Sequence, residues 1–329
     1  MRSHFNHQLV SRGLMAAAAV FALAVSRAQA EDSFPTGSVK IIVPFAAGGT
    51  TDAAMRVLGD ELGKHWGQPV IIDNKPGGDT VLAMVDAKKA PNDGHTLVIT
   101  TSTSLTVNPL LYSRIPYNPQ ADFEAVTTLF EFPLSLVVSS NLGANSVGDF
   151  LKRAKDGDLS YASLGNGSLG HLVVEGLKGK SGIDVAHIPY DGVGPIALAM
   201  QSAEADFTLM SAASLQSVLD SGAAKALAIG SKERSPKYPD VPSMEEVGLE
   251  GLNAVDWMAI LAPAGTDAAT IQTIYDGIKV AAATPGFVNI MDKLDRNVVV
   301  QTPEATATRI VQELEHWRPL IAELGLKAD

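Results

Sequence analysis

A β-branched run, Val39-Lys40-Ile41-Ile42-Val43-Pro44, passes into Phe45-Ala46-Ala47-Gly48-Gly49-Thr50-Thr51 and then into a helical pattern that begins at Asp52. Ala53, Ala54, Val57, Leu58 and Leu62 give that pattern its apolar face. A strand that turns through glycines into a helix cannot fold straight back as a hairpin. It crosses over, and strands alternating with helices predict a mostly parallel sheet covered by helices. The alternation persists along the chain. Strands are expected at 70–73, 96–100, 134–139, 159–163, 184–188, 206–209, 226–229, 254–261 and 298–300. Helices are expected at 81–89, 147–154, from 169, at 193–202 and from 268, with a break at 284–286. The strand, glycine-rich turn and helix of 39–62 recur at 159–178.

So many elements in 329 residues predict two α/β domains, and no Pro- or Ser-rich linker separates them. The domains are therefore expected to share chain crossovers. Residues 1–30 are set apart. Arg2, His4, His7 and Arg12 make a polar, basic start, 14–25 is an unbroken apolar run, and Ala28-Gln29-Ala30 is a small-x-small site. That layout predicts a secretory signal peptide cleaved after Ala30, since twelve apolar residues span only ~18 Å as a helix against a hydrocarbon core of ~30 Å. The leader carries three arginines and no acid, so removing it takes the formal charge from −11 to −14. An acidic balance argues against nucleic acid as a partner. The absence of cysteine excludes thiol catalysis, Cys-ligated zinc and disulfides. His65, His95, His187 and His316 are scattered without metal-ligand spacing, so no metal or other cofactor is expected.

The turn from Pro44 to Asp52 places backbone N–H groups at a helix start, where the dipole favours an anion. Gly48 and Gly49 allow close approach, and Thr50 and Thr51 add hydroxyls. An ordinary tight βα turn reads the same residues equally well. The turn from Ser163 to His171 is similar. Its Gly165-x-Gly167-x-x-Gly170 formally matches a dinucleotide fingerprint, but a lone match is weak and a second anion-donor turn fits better. Ser168 and His171 suggest a hydrolase, yet Asn166 stands where a nucleophile elbow needs glycine. Trp66 and Trp317 fall on amphipathic helices and are expected in the core, while Trp257 suits core and cleft equally.

Several segments together resemble one family. They are Val43-Pro44-Phe45-Ala46-Ala47-Gly48-Gly49-Thr50-Thr51-Asp52, Asn74-Lys75-Pro76-Gly77, Asp93-Gly94-His95-Thr96-Leu97 and Asn108-Pro109. Further along stand Tyr161-Ala162-Ser163-x-Gly165-x-Gly167-Ser168-x-x-His171-Leu172 and His187-Ile188-Pro189-Tyr190-Asp191-Gly192. Pro239-Asp240-Val241-Pro242-Ser243, Trp257 and Ala262-Pro263-Ala264-Gly265-Thr266 complete the set. In this order they look like the Bug/TctC family, extracytoplasmic solute receptors of tripartite tricarboxylate transporters. One departure is Pro76-Gly77-Gly78-Asp79, where the family usually has Pro-Gly-Ala-Gly-Gly.

The resemblance implies an α/β two-domain periplasmic-binding-protein fold (Venus flytrap, type II) with two crossovers. One domain would combine 31–131 with 253–329, and the other would be 132–252. It also implies a ligand carboxylate gripped between the two turns, with no arginine clamp needed. On this sequence the first turn offers Phe45, Ala47, Gly48, Gly49, Thr50, Thr51 and Asp52, with Asp52 expected to cap its helix. The second offers Gly165, Asn166, Gly167, Ser168 and His171. Ser102, Thr103, Ser104, Tyr190, Asp191 and Gly192 would line the sides.

The expected role is that of a periplasmic, monomeric binding protein for a small mono-, di- or tricarboxylate, working by domain closure and not by catalysis. Its partners would be the membrane subunits of such a transporter. A sensor feeding a signalling receptor is the alternative from another class, and an exported serine hydrolase the remote one.

Overall fold

The computed structural model describes residues 34–327, apart from Asp79 and Asn253. The leader at 1–30, its cleavage site, the start at Glu31 and the departure at Asp79 lie outside the described residues. β1 (Val39–Val43) leads into α1 (Thr50–Trp66), and β2 (Val70–Asn74) into α2 (Val81–Lys88). β3 (Thr96–Thr101) is followed by two short helices, α3 (Ser102–Thr106) and α4 (Asn108–Leu111). β4 (Phe123–Pro133) and β5 (Ser135–Ser139) have only Leu134 between them. Next come α5 (Val147–Asp156), β6 (Leu159–Ser163), α6 (Leu169–Ser181), β7 (Val185–Pro189) and α7 (Val193–Ser202). β8 (Phe207–Met210), α8 (Gln216–Asp220), β9 (Ala224–Ile229) and β10 (Val255–Pro263) follow. The last elements are α9 (Ala268–Ala282), α10 (Pro285–Lys293), β11 (Asn297–Val298) and α11 (Pro303–Leu324).

The strands form two sheets, ordered β11-β4-β10-β3-β1-β2 and β7-β6-β8-β5-β9. β1 pairs in parallel with β2 and β3, and β6 with β7 and β8. The other pairings, of β10 with β3 and β4, of β4 with β11, and of β5 with β8 and β9, are antiparallel. The sheets are thus mixed, where helix-strand alternation predicts mostly parallel ones. The reason is that β4 passes into β5, and so into the other sheet, without an intervening helix, and β10 returns beside it in the opposite direction.

β4 itself falls where the sequence reading places no element. Residues 126–130 are all buried, so the period-2 alternation that marks a half-exposed strand is missing.

Each sheet carries apolar side chains on both faces. Ile41, Met55, Leu58, Ile274 and Phe287 fill one face of the first sheet, and Ile42, Met84, Val98 and Trp257 the other. Trp257 is therefore core, with its Nε1 donating to Glu313 at 2.7 Å. Phe150, Tyr161, Leu172 and Phe207 pack one face of the second sheet, and Val137, Ile196, Met200 and Leu215 the other. Leu111 from α4, and Trp317 and Ile321 from α11, join the second sheet's cluster, whereas Ile310 of α11 packs with the first. One helix of about 33 Å thus spans both units. The two connecting segments touch: Leu134 N donates to Ala254 O at 2.8 Å and Gly230 N to Leu134 O at 2.7 Å. The chain is a two-domain α/β molecule with two crossovers.

Candidate functional site

β3 hands over directly, and β1 and β6 through glycine-containing turns, to a helix at the space between the sheets. The C-terminal ends of such strands are where open α/β sheets gather ligands. A helix start leaves its first N–H groups unpaired and carries a partial positive charge. The starts of α1, α3 and α6 meet one cavity of about 610 Å³. From the first sheet it is lined by Phe45, Gly49, Thr50, Thr51, Thr80, Thr101, Thr103, Phe132, Asp256, Met258 and Arg296. The second sheet contributes Leu164, Asn166, Ser168, Leu169, Gly170, Val193, Leu209, Met210, Ser211 and Ser214. Tyr112 and Leu134 complete the wall.

The α1 turn is held from behind. Gly48, at φ 85°, donates its N–H to Asp52 Oδ2 at 2.8 Å, and Arg56 Nε donates to the same oxygen at 3.0 Å. The Arg56 bond, against the opposing effect of burial, holds the Asp52 carboxyl below its ordinary range. Asp52 therefore does not cap the helix as expected. Gly49 occupies the N-cap position with no side-chain cap, and Asp52 reaches back from the first turn to close the loop. Its charge is spent on Arg56 and Gly48, away from the cavity wall.

The α6 turn is braced in a similar way. Ser168 Oγ donates to Gly165 O at 2.8 Å and accepts from His171 N at 3.4 Å. Gly167 N donates to His171 Nδ1 at 3.0 Å. A ring nitrogen that accepts is unprotonated, which places the neutral imidazole's proton on Nε2. Burial, and secondly the stacked His187 ring at 4.3 Å, push the His171 pKa down to about 4. Tyr161 stacks beyond His187 at 4.8 Å, and Ser163 Oγ meets His187 Nε2 at 2.6 Å. The side chains of Ser168 and His171 share no hydrogen bond, so the geometry does not form a nucleophile–base pair.

Of the residues expected to contact ligand, Phe45, Gly49, Thr50, Thr51, Thr103, Asn166 and Ser168 line the cavity. Asp52, Ser102, Ser104, Gly165, Gly167 and His171 stand behind the wall. Ser102 Oγ donates to Asp256 Oδ1 at 2.7 Å, and Ser104 Oγ pairs with Thr80 Oγ1 at 2.6 Å. Ala47 and Gly48 are on the exposed side of their turn. Tyr190 packs against the cluster around Ile196 and Leu215, Asp191 is exposed, and Gly192 opens α7. None of these five reaches the cavity wall; Val193, next in the chain, does.

Thr80, Asp256, Arg296, Ser211 and Ser214 line the cavity without having been expected there. Asp256 is partly buried; its Oδ1 also accepts from Trp257 N at 2.8 Å, and burial raises its carboxyl. Arg296 lays its guanidinium over the Phe132 ring, 3.6 Å from the centroid. No periodicity flags either residue; only the neighbouring Trp257 drew attention to that strand.

Residues 54–326 match the family described as "Tripartite tricarboxylate transporter family receptor". Protein BugT of Bordetella pertussis (strain Tohama I) is 31% identical over 299 residues, covering 90% of this chain and 92% of that protein. Among solved structures, "R. palustris Rpa4515 with adipate" superposes with a TM-score of 0.78 at 26% identity, covering 89% of this chain and 99% of that one. MatC of Rhodopseudomonas palustris with bound malate gives 0.73 at 27%, covering 88% and 100%. The fold is therefore that of the two-domain periplasmic binding proteins, and the chain belongs to the TctC family of tripartite tricarboxylate transporter receptors, the Bug-type solute-binding proteins.

Proposed function

We propose that the protein captures a small organic carboxylate in the cleft between its two sheets and passes it to the membrane subunits of a tripartite tricarboxylate transporter. The observation that carries this reading is the convergence of two helix starts, one from each sheet, on one cavity that also presents the hydroxyls of Thr50, Thr51, Thr103 and Ser168. The carboxylate sits between the α1 and α6 turns, and contacts to both sheets favour the closed molecule. The two relatives seen with adipate and with malate support the ligand class.

The energetics suffice. A micromolar complex needs about −8 kcal/mol. Hydrogen bonds to a charged acceptor contribute roughly 1.5–3 kcal/mol each, and a helix start up to about 2 kcal/mol. Distant surface acids are screened within ~8 Å at physiological salt, so a net negative chain can hold an anion. We place the domains at 31–131 with 253–329 and at 132–252, and the mature chain, from Glu31, in the periplasm. Among the described residues no helix is long and apolar enough to cross a membrane.

Calorimetry of the mature chain against a panel of mono-, di- and tricarboxylates tests the reading. At least one member is expected to bind in the micromolar range, and Thr51→Ala to weaken it by about tenfold. A panel in which nothing binds overturns it.

A further inference from the structure

We infer that Arg296 and Asp256 form a second, distal subsite in the same cleft, so that the ligand is a mid-length dicarboxylate with an apolar body. The inference rests on the reading that one carboxylate is held at the helix starts, and adds where the other end of the ligand goes.

Three adjacent strands set the geometry. Asp256 lies opposite Phe132 in the β10–β4 ladder, and Asn297 lies opposite Glu131 in the β11–β4 ladder. Arg296, one residue earlier, therefore falls beside Phe132 on its other side. The order Arg296, Phe132, Asp256 is a row across the first sheet, and all three line the cavity.

The guanidinium in this row is oriented but not paired. Stacking on Phe132 fixes its plane. Its side chain makes no hydrogen bond or ion pair with any described residue, and Nη1 is buried without a partner. A fork of N–H donors held flat and unmatched at the wall of a cleft is the arrangement that takes a carboxylate by two parallel bonds. Asp256 has Oδ1 committed to Ser102 and to Trp257 N, while Oδ2 bonds to no described residue. Burial raises this carboxyl, with the bonds from Ser102 and Trp257 N and the charges of Arg296 and Arg309 opposing the shift.

The row also sets a length. The guanidinium lies over β4, and β10 and β3 stand between β4 and β1, whose turn feeds α1. Three strand spacings come to about 14 Å. Allowing about 3 Å for a hydrogen bond at each end leaves about 8 Å between the ligand's outer oxygens. An extended chain of about six carbons has that span. Between the two ends Phe45, Met258, Leu169 and Leu209 give the wall an apolar stretch beside Thr101 and Thr103.

Calorimetry on the mature chain tests this with pairs matched in size: adipate against hexanoate, and terephthalate against benzoate. In at least one pair the dianion is expected to bind tighter by about tenfold or more. Arg296→Gln should bring that ratio to within about threefold, while Arg296→Lys, which keeps the charge but not the flat fork, retains an intermediate preference. Equal binding of both members of each pair by the wild type overturns the distal subsite alone. A preference that survives Arg296→Gln, in a variant that melts like the wild type, does the same. If neither member of either pair binds, and no carboxylate of the wider panel does, the carboxylate reading falls and the subsite with it.

Discussion

A methyl group placed on Gly170 would sit 2.5 Å from the carbonyl oxygen of Leu209. That oxygen belongs to β8 backbone and cannot swing aside, so the start of α6 lies against the sheet only because residue 170 has no side chain. Gly170→Ala is expected to cost about 1–3 kcal/mol of stability in urea denaturation, the range for overpacking a tight site. An unchanged midpoint would show that the α6 start is free to lift off the strand. The same scale separates residues that line the cavity from those that brace its turns. Asp52 and His171 have groups suited to ligand contact, yet each braces its own turn, through Gly48 N and Gly167 N. A sequence presents a side chain's chemistry but not the direction in which it points.

The α6 turn and the stack behind it form one unit. Gly167 N rests on the unprotonated Nδ1 of His171, which stacks on His187 and is held neutral down to about pH 4. In the unfolded chain the same group titrates near 6.5. Well above pH 6.5 both states are neutral and the group has no effect on stability. As the pH falls from 6.5 toward 4 the unfolded state binds the proton first, so folding stability declines across that window, by about 3 kcal/mol for His171 alone. Denaturant unfolding at pH 7.5 and 4.5 reads this out. His171→Gln should lose less stability than the wild type over the interval, because carboxylates elsewhere titrate alike in both proteins. Equal losses would show that the imidazole is not what the turn depends on. At the same scale β4 went unread because its middle is buried on both faces, leaving no alternation to detect.

At the level of the whole molecule the two sheets are joined where Leu134, Gly230 and Ala254 meet. A Cβ on Gly230 would lie 2.4 Å from Ala254 O, so the two connecting segments run as close together as backbone allows. Gly230→Ala is expected to lower stability by about 1–3 kcal/mol and, on the proposed function, to weaken carboxylate binding in parallel, since it wedges apart the segments that join the two sheets. Calorimetric melting and titration on the same sample check both effects; a lower melting temperature with intact affinity would confine the role of Gly230 to packing. α11 adds a second tie, with Ile310 in one core and Trp317 and Ile321 in the other. On the proposed closing motion this helix would move with one sheet or bend between Ile310 and Trp317.

By itself the sequence determined the α/β class and the strand–turn–helix units at 39–62 and 159–178 with their glycine-rich turns. These are local: apolar periodicity, glycine at turns and Ser168 at an N-cap act over a few residues, and each is written in consecutive positions. The tertiary structure alone decided the mixed sheet order, the two-sided burial of β4, and the placing of Asp256 and Arg296 on either side of Phe132. Those depend on register between strands far apart in the chain, as where Asn297 pairs with Glu131. Register is set by the packing of whole faces rather than by any residue's own preference. The acidic charge, readable at once, says least about the ligand, because the donors at the cleft are backbone amides, hydroxyls and one oriented guanidinium, which a count of charges does not reveal.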